Sequence, residues 1–259
     1  MAAPEINPTV IKKGELNTLI QNMESYPEGI LIPFDKPLEW TSADVVRKLK
    51  FKFQYFFQNR KLKVGHAGTL DPLATGMLII CLGKATKISE KLQAEKKVYI
   101  ADVTFGATTP SYDLEKEIDA TYPYEHITQE KIEEALKGFI GTQEQVPPIF
   151  SAKYVDGVRA YEMAREGVEV ELKSATITIY NIELLEYNAP TAKIRIECSK
   201  GTYIRSFARD LGIALESGAH LTGLRRTNQA TSPQKMPLQW KNSCSSSNSY
   251  YCVYCAINL

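Results

Sequence analysis

The chain has 259 residues, 44% hydrophobic and 24% charged, enough apolar material for a substantial core and too much for an intrinsically disordered protein. Its longest apolar run, Met77-Leu78-Ile79-Ile80-Cys81-Leu82, is far too short to span a bilayer, and the N-terminus lacks the basic start and apolar stretch of a secretory signal, so the expectation is a cytoplasmic protein. The net charge of +1 hides an asymmetry. Between Val45 and Val64 stand Arg47, Lys48, Lys50, Lys52, Arg60, Lys61 and Lys63 with no acid, while the stretch from Asp113 to Glu134 is strongly acidic.

In chain order, Gly29–Pro37 (GILIPFDKP) reads as a buried strand ending in a Pro-marked turn. Thr41 or Ser42 can cap a helix that carries Val46, Leu49 and Phe53 on one face. A Gly- and Pro-rich loop, Gly65 to Gly76, leads into the apolar strand at Met77. Tyr99, Ala101, Val103 and Phe105 alternate as in a half-buried strand, as do Ile194, Ile196 and Cys198. Ile177 and Ile179 suggest a further strand, and helical spacing marks Gln129–Phe139 and Tyr203–Leu215. Strands and helices mix without a regular βαβ period, which predicts an α+β fold with a mixed, largely antiparallel sheet flanked by helices and loops.

Residues 228–259 differ: they hold no acid, a Ser-rich run and no periodicity, so they read as a disordered tail. Cys244, Cys252 and Cys255 lie there, and Cys81 and Cys198 lie in strand-like patterns. Cys252-x-x-Cys255 without a second ligand pair is weak for zinc, and reduced thiols are the expectation.

Three segments carry chemistry. In Gly65–Gly76 a single acid, Asp71, stands among small and apolar neighbours, with Gly65, Gly68 and Gly76 letting backbone approach a ligand. Lys97-Val98-Tyr99 places a tyrosine on an alternating strand. In Cys198–Arg205 a strand ends at Gly201 and a helix begins with Arg205 in its first turn, against the macrodipole preference. A lone buried carboxylate needs a cation to stay ionised, and Arg205 with Asp71 would satisfy both residues. A turn aspartate and a surface arginine is the alternative that these residues alone leave open.

The segment GHAGTLDPLATGMLIICLGKATK, with GILIPFDKP upstream and KVY, VPPIFSAKYVDGVRAYEMAREG, CSKGTYIRS and LRRT downstream, closely resembles the TruB-type tRNA pseudouridine synthases of bacteria. The resemblance runs in order from about Gly29 to Thr227. It implies a pseudouridine-synthase catalytic domain over 29–227, an N-terminal extension over 1–28 and an atypical tail over 228–259, where the family usually continues into a PUA-type RNA-binding domain. The break in composition there is what a shifted or misassembled reading frame produces, with a genuinely divergent end as the alternative.

The resemblance further implies isomerisation of a T-loop uridine (tRNA position 55) to pseudouridine. Asp71 would be the catalytic aspartate, Tyr99 the ring that stacks on the base and a candidate base for the C5 proton, and Arg205 the partner of Asp71. His66 would fill the space left by the flipped nucleotide, and Tyr203 and Leu224 would line the base pocket together with Gly68 and Lys97. Tyr203 and Leu224 are equally compatible with core positions. The product is an isomer, so neither a metal nor a cofactor is expected. Because the uracil never departs, one carboxylate suffices where glycosidases use two. Attack at C1′, addition at C6 and removal of a sugar proton remain open at this level. The implied partner is tRNA, through its T-arm, with no membrane, no obligatory protein partner and a monomeric enzyme. A non-catalytic tRNA-binding or folding protein, or a synthase for another RNA uridine, are the competing readings.

Overall fold

The computed structural model describes residues 6–11, 15–151, 154–155, 158–159, 163 and 172–229. Cys244, Cys252, Cys255 and the tail from residue 230 onward lie outside the described residues, as does much of the segment following Ser151. The chain forms two compact units, one comprising the residues up to Glu95 together with Asn228 and Gln229, the other Lys96–Thr227.

In the first unit, β1 (Thr9–Val10) runs parallel to β2 (Ile30–Lys36), which pairs antiparallel with β4 (Ala74–Leu82); β3 (Val64–Ala67) also pairs antiparallel with β4. The unbroken apolar run in β4 is explained by burial of both faces. Ile30, Ile32 and Phe34 join Leu78, Ile80 and Leu82 in one core with Val45, Leu49 and Phe53 of α1 (Ser42–Phe56). Leu31, Met77, Ile79 and Cys81 alternate into a second core with Leu92 of α2 (Ser89–Ala94). Helix α1 starts where expected, on a capping box in which the Thr41 hydroxyl accepts from the Asp44 N–H and the Asp44 carboxylate accepts from the Thr41 N–H. Part of the N-terminal extension is built into this unit: Ile11 is buried in the first core, and Leu16, Leu19, Met23 and Tyr26 pack against it.

The second unit has strand order β13-β5-β12-β11-β8, formed by β5 (Lys97–Phe105), β8 (Gly141–Gln145), β11 (Ala175–Asn188), β12 (Thr191–Cys198) and β13 (Ala219–Gln229). The β5–β12, β12–β11 and β11–β8 pairings are antiparallel. Two small pairs accompany them, β6 (Ala107–Thr108) with β7 (Ala120–Thr121), and β9 (Tyr154–Val155) with β10 (Val158–Arg159). The register sets Tyr99 opposite Ile196, Ala101 opposite Ile194 and Val103 opposite Ala192, so the alternating residues share a buried face. Helices α3 (Gln129–Lys137) and α4 (Ile204–Ala214) bury Ile132, Leu136, Phe207 and Leu211. The fold is α+β, with pairing that is mostly antiparallel. No helix among the described residues is long and apolar enough to cross a membrane.

The strand β13 runs to Gln229, so the compositional break at 228 is not where regular structure stops. Gln229 is fully buried, and its amide donates to the carbonyls of Ala67 at 2.6 Å and Leu92 at 3.2 Å. These two bonds tie the residue to β3 and α2 within the first unit.

Candidate active site

His66, Gly68 and Asp71 belong to the first unit, on β3 and the turn that joins it to β4. Gly68 (φ +95°) at the start of this turn and Gly76 (φ +100°) just inside β4 adopt conformations that disfavour side chains, so two of the three glycines of the Gly65–Gly76 segment are required by the backbone itself. Asp71 is half-buried, and its own carbonyl accepts from the Ala74 N–H at 3.1 Å, closing the turn.

The residues on both sides of Asp71 are anchored. On one side, the buried hydroxyl of Ser42 accepts from the Leu70 N–H at 2.9 Å and donates to the Leu70 carbonyl at 3.1 Å. On the other, the Pro72 carbonyl accepts from the Glu39 N–H at 2.9 Å and from Lys36 Nζ at 3.1 Å. Lys36 is 0% exposed, and it also donates to the carbonyls of Pro37 (2.8 Å) and Trp40 (2.7 Å). An ammonium buried among carbonyl oxygens replaces its lost hydration with three dipoles and becomes a rigid fixture. Helix α1 and strand β2 thus hold the turn through Ser42 and Lys36, two residues that the sequence showed without signalling their purpose.

Lys97, Tyr99, Tyr203, Arg205 and Leu224 belong to the second unit. Lys97 and Tyr99 open β5 and are buried; Lys97 lies opposite Cys198, the last residue of β12. The chain runs from Cys198 into α4, so the start of β5 and the start of α4 come to one end of the sheet. Leu224 is half-buried on β13.

Arg205 is 4% exposed in the first turn of α4. Its Nη2 donates to the Phe150 carbonyl at 3.0 Å, and its Nε lies 3.6 Å from the Asp113 carboxylate, an ion-pair distance longer than a hydrogen bond. Asp113 is itself held by the Glu115 N–H at 2.9 Å. Gln145 accepts from the Tyr203 N–H at 2.8 Å and donates to the Tyr203 carbonyl at 3.1 Å, and Ser206 donates to the Val146 carbonyl at 2.8 Å. The segment from Gln145 to Phe150 is therefore strapped along the start of α4 and orients Arg205. Gln145 and Asp113 were missed in the sequence, where Gln145 ends a polar strand and Asp113 is one acid among many.

Burial pushes the Cys81 thiol up to about 12 and the Cys198 thiol up to about 11, so neither is a nucleophile near neutral pH. Among the described residues no cluster of His, Cys, Asp and Glu suits a metal ion.

Residues 54–204, more than half of the chain, match the family described as TruB family pseudouridylate synthase (N terminal domain). The chain belongs to that family. It is 63% identical over 203 residues to the tRNA pseudouridine synthase B of Phocaeicola vulgatus, covering 78% of this chain and 86% of that one. To the protein of the same name from Syntrophotalea carbinolica it is 45% identical over 202 residues, 78% of this chain and 64% of that one. Among solved structures, a chain of a Cbf5-Nop10-Gar1 complex is similar at 30% identity with a TM-score of 0.58, covering 78% of this chain and 48% of that one. A chain of an H/ACA RNP bound to a substrate RNA containing 2'-deoxyuridine is similar at 28% identity with a TM-score of 0.55, covering 84% and 50%. The chain spans about half the length of these solved relatives.

Proposed function

We propose that this chain isomerises uridine to pseudouridine in tRNA, at the T-loop, acting as a monomer on the T-arm with no obligatory protein partner. The C1′–N1 glycosidic bond breaks, the uracil turns, and C5 bonds to C1′; C5 gives up its proton and N1 ends with one, so atoms balance without an added reactant. In a folded RNA the uridine must leave its stack, with His66 filling the vacated space. Asp71 supplies the carboxylate on which bond breaking depends, Arg205 the countercharge that pairs with it, and Tyr99 the base for the C5 proton. Tyr203, Leu224, Gly68 and Lys97 form the surround of the flipped base.

The observation that carries this reading is the fixing of the Asp71 turn through Leu70 and Pro72. A carboxylate that must meet one face of a flipped nucleotide gains rate from being held in place. The test is to incubate unmodified tRNA with the purified chain and map pseudouridine by chemical adduct and primer extension. Product is expected in the T-loop, and Asp71→Asn is expected to abolish it while leaving tRNA binding largely intact. Turnover by a clean Asp71→Asn preparation would remove Asp71 from the mechanism.

A further inference from the structure

We propose that an open basic groove in the first unit, at the foot of the strand leading to Asp71, holds backbone phosphates of the RNA substrate; this rests on the RNA-modifying reading above. The seven cations between Val45 and Val64 do not act as one surface. Arg47 is 3.0 Å from Asp44, and Lys48 lies over the Trp40 ring, 5.7 Å from its centroid. Lys50, Arg60, Lys61 and Lys63 instead line an open groove of about 570 Å³ with Gln54 and Thr86, and no carboxylate lines it. Among the described residues none of these four cations has an ion-pair partner. Four like charges converging on one concavity repel one another, and bound anions relieve that repulsion.

The groove is constructed rather than incidental. The Gln54 amide reaches from α1 to donate to the carbonyls of Arg60 (2.8 Å) and Leu62 (3.2 Å), and Asn59 Oδ1 accepts from the Lys61 N–H at 3.0 Å. The Lys63 carbonyl accepts from the Gly83 N–H at 2.9 Å. Arg60, Lys61 and Lys63 therefore project from a turn whose backbone is pinned. Gly65 adds a second observation. Its φ is ordinary, and an added Cβ would meet only the Thr86 methyl, at 3.8 Å, so nothing in the fold demands glycine there. The missing side chain leaves the groove lining open to a ligand.

RNA is favoured over other polyanions by what adjoins the groove. From Gly65 the chain continues through His66 and Gly68 to Asp71, so a strand of nucleic acid lying in the groove continues toward the turn. On α1, Phe51 and Tyr55 are 75% and 67% exposed, one residue along from Lys50 and Gln54 respectively. Exposed rings beside a phosphate track suit unpaired bases of an RNA loop.

The test uses the full chain and unmodified tRNA, with dissociation constants measured across a salt series. Replacing two cations by neutral residues of similar length, Lys50→Gln with Lys63→Gln, is expected to make the slope of log K against log salt shallower by about 1.5. The advantage of the unaltered chain should then shrink roughly eightfold between 50 and 200 mM salt. Lys131→Gln, an equivalent exposed charge loss on α3, should leave the slope unchanged. Lys50→Arg with Lys63→Arg should retain the slope, separating charge from folding damage. Gly65→Val should weaken binding with every cation in place. An unchanged slope and affinity in the Gln double variant, with its thermal unfolding intact, overturns the inference and assigns the groove to an acidic protein surface. Because the readout is binding, this failure is distinct from a failure of the function, which would appear as no pseudouridine formed by the unaltered chain.

Discussion

Replacing Lys36 by Met keeps length and apolar stem while removing the ammonium that bonds the carbonyls of Pro37, Trp40 and Pro72. The Pro72 carbonyl retains the Glu39 N–H, so two carbonyls lose this donor without that compensation. A hydrogen bond to a charged group contributes about 1.5–3 kcal/mol. Relief from burying the charge offsets part of the loss, leaving a net destabilisation of about 2–4 kcal/mol. For a chain of this size that corresponds to a fall in Tm of roughly 5–15 °C. Activity should suffer separately, because Pro72 follows Asp71 and a displacement of about 1 Å costs on the order of a hundredfold in rate. Circular dichroism melting and single-turnover pseudouridine formation read the two effects. A Lys36→Met protein that melts within about 1 °C of the unaltered chain and turns over at the same rate would refute the view that Lys36 fixes the turn.

Tyr99→Phe keeps the ring on β5 and removes the hydroxyl; if that hydroxyl takes the C5 proton, turnover should fall much more than tRNA affinity, and equal turnover would leave Tyr99 a stacking surface alone. Truncation after Gln229 should cost much less stability than truncation after Thr227, because only the latter strips the buried donor from Ala67 and Leu92, a loss of about 1–3 kcal/mol; equal melting temperatures would contradict it. Cys81 and Cys198 should resist alkylation at pH 8 until the chain is denatured, as peptide mapping would show. Their folded values lie near 12 and 11 against an ordinary 9.0, so above pH 9 the unfolded thiols release protons first, and stability should fall as pH rises from 9 toward 11–12.

Elements whose apolar residues repeat at a fixed period were legible in the sequence. The alternation Tyr99, Ala101, Val103, Phe105 became the buried face of β5, and the Leu211-containing pattern became α4, one residue shorter at each end than read. Thr41 capped α1 while Ser42, an equal candidate, turned to Leu70 instead; a local pattern cannot distinguish a cap from a bond to a residue twenty-eight positions away. The strand β13 gave no alternation to read, since Gly223, Arg225 and the fully buried Arg226 interrupt it, and burial of an arginine depends on tertiary partners. Asp71 and Arg205 stood out by residue type and setting. Lys36, Gln145 and Asp113 did not, because their work is done on distant parts of the chain.

Lys36 and Ser42 hold the turn through main-chain atoms, one amide and four carbonyls. Placement of the Asp71 backbone is thereby uncoupled from the identity of the residues that flank it. The exposed side chains at Leu38 and Glu39 can drift to suit a different RNA surface without dragging the carboxylate out of position. A turn held in this way offers an engineer a ring of positions to vary around a fixed acid, which is a route to altered target choice that leaves the chemistry alone.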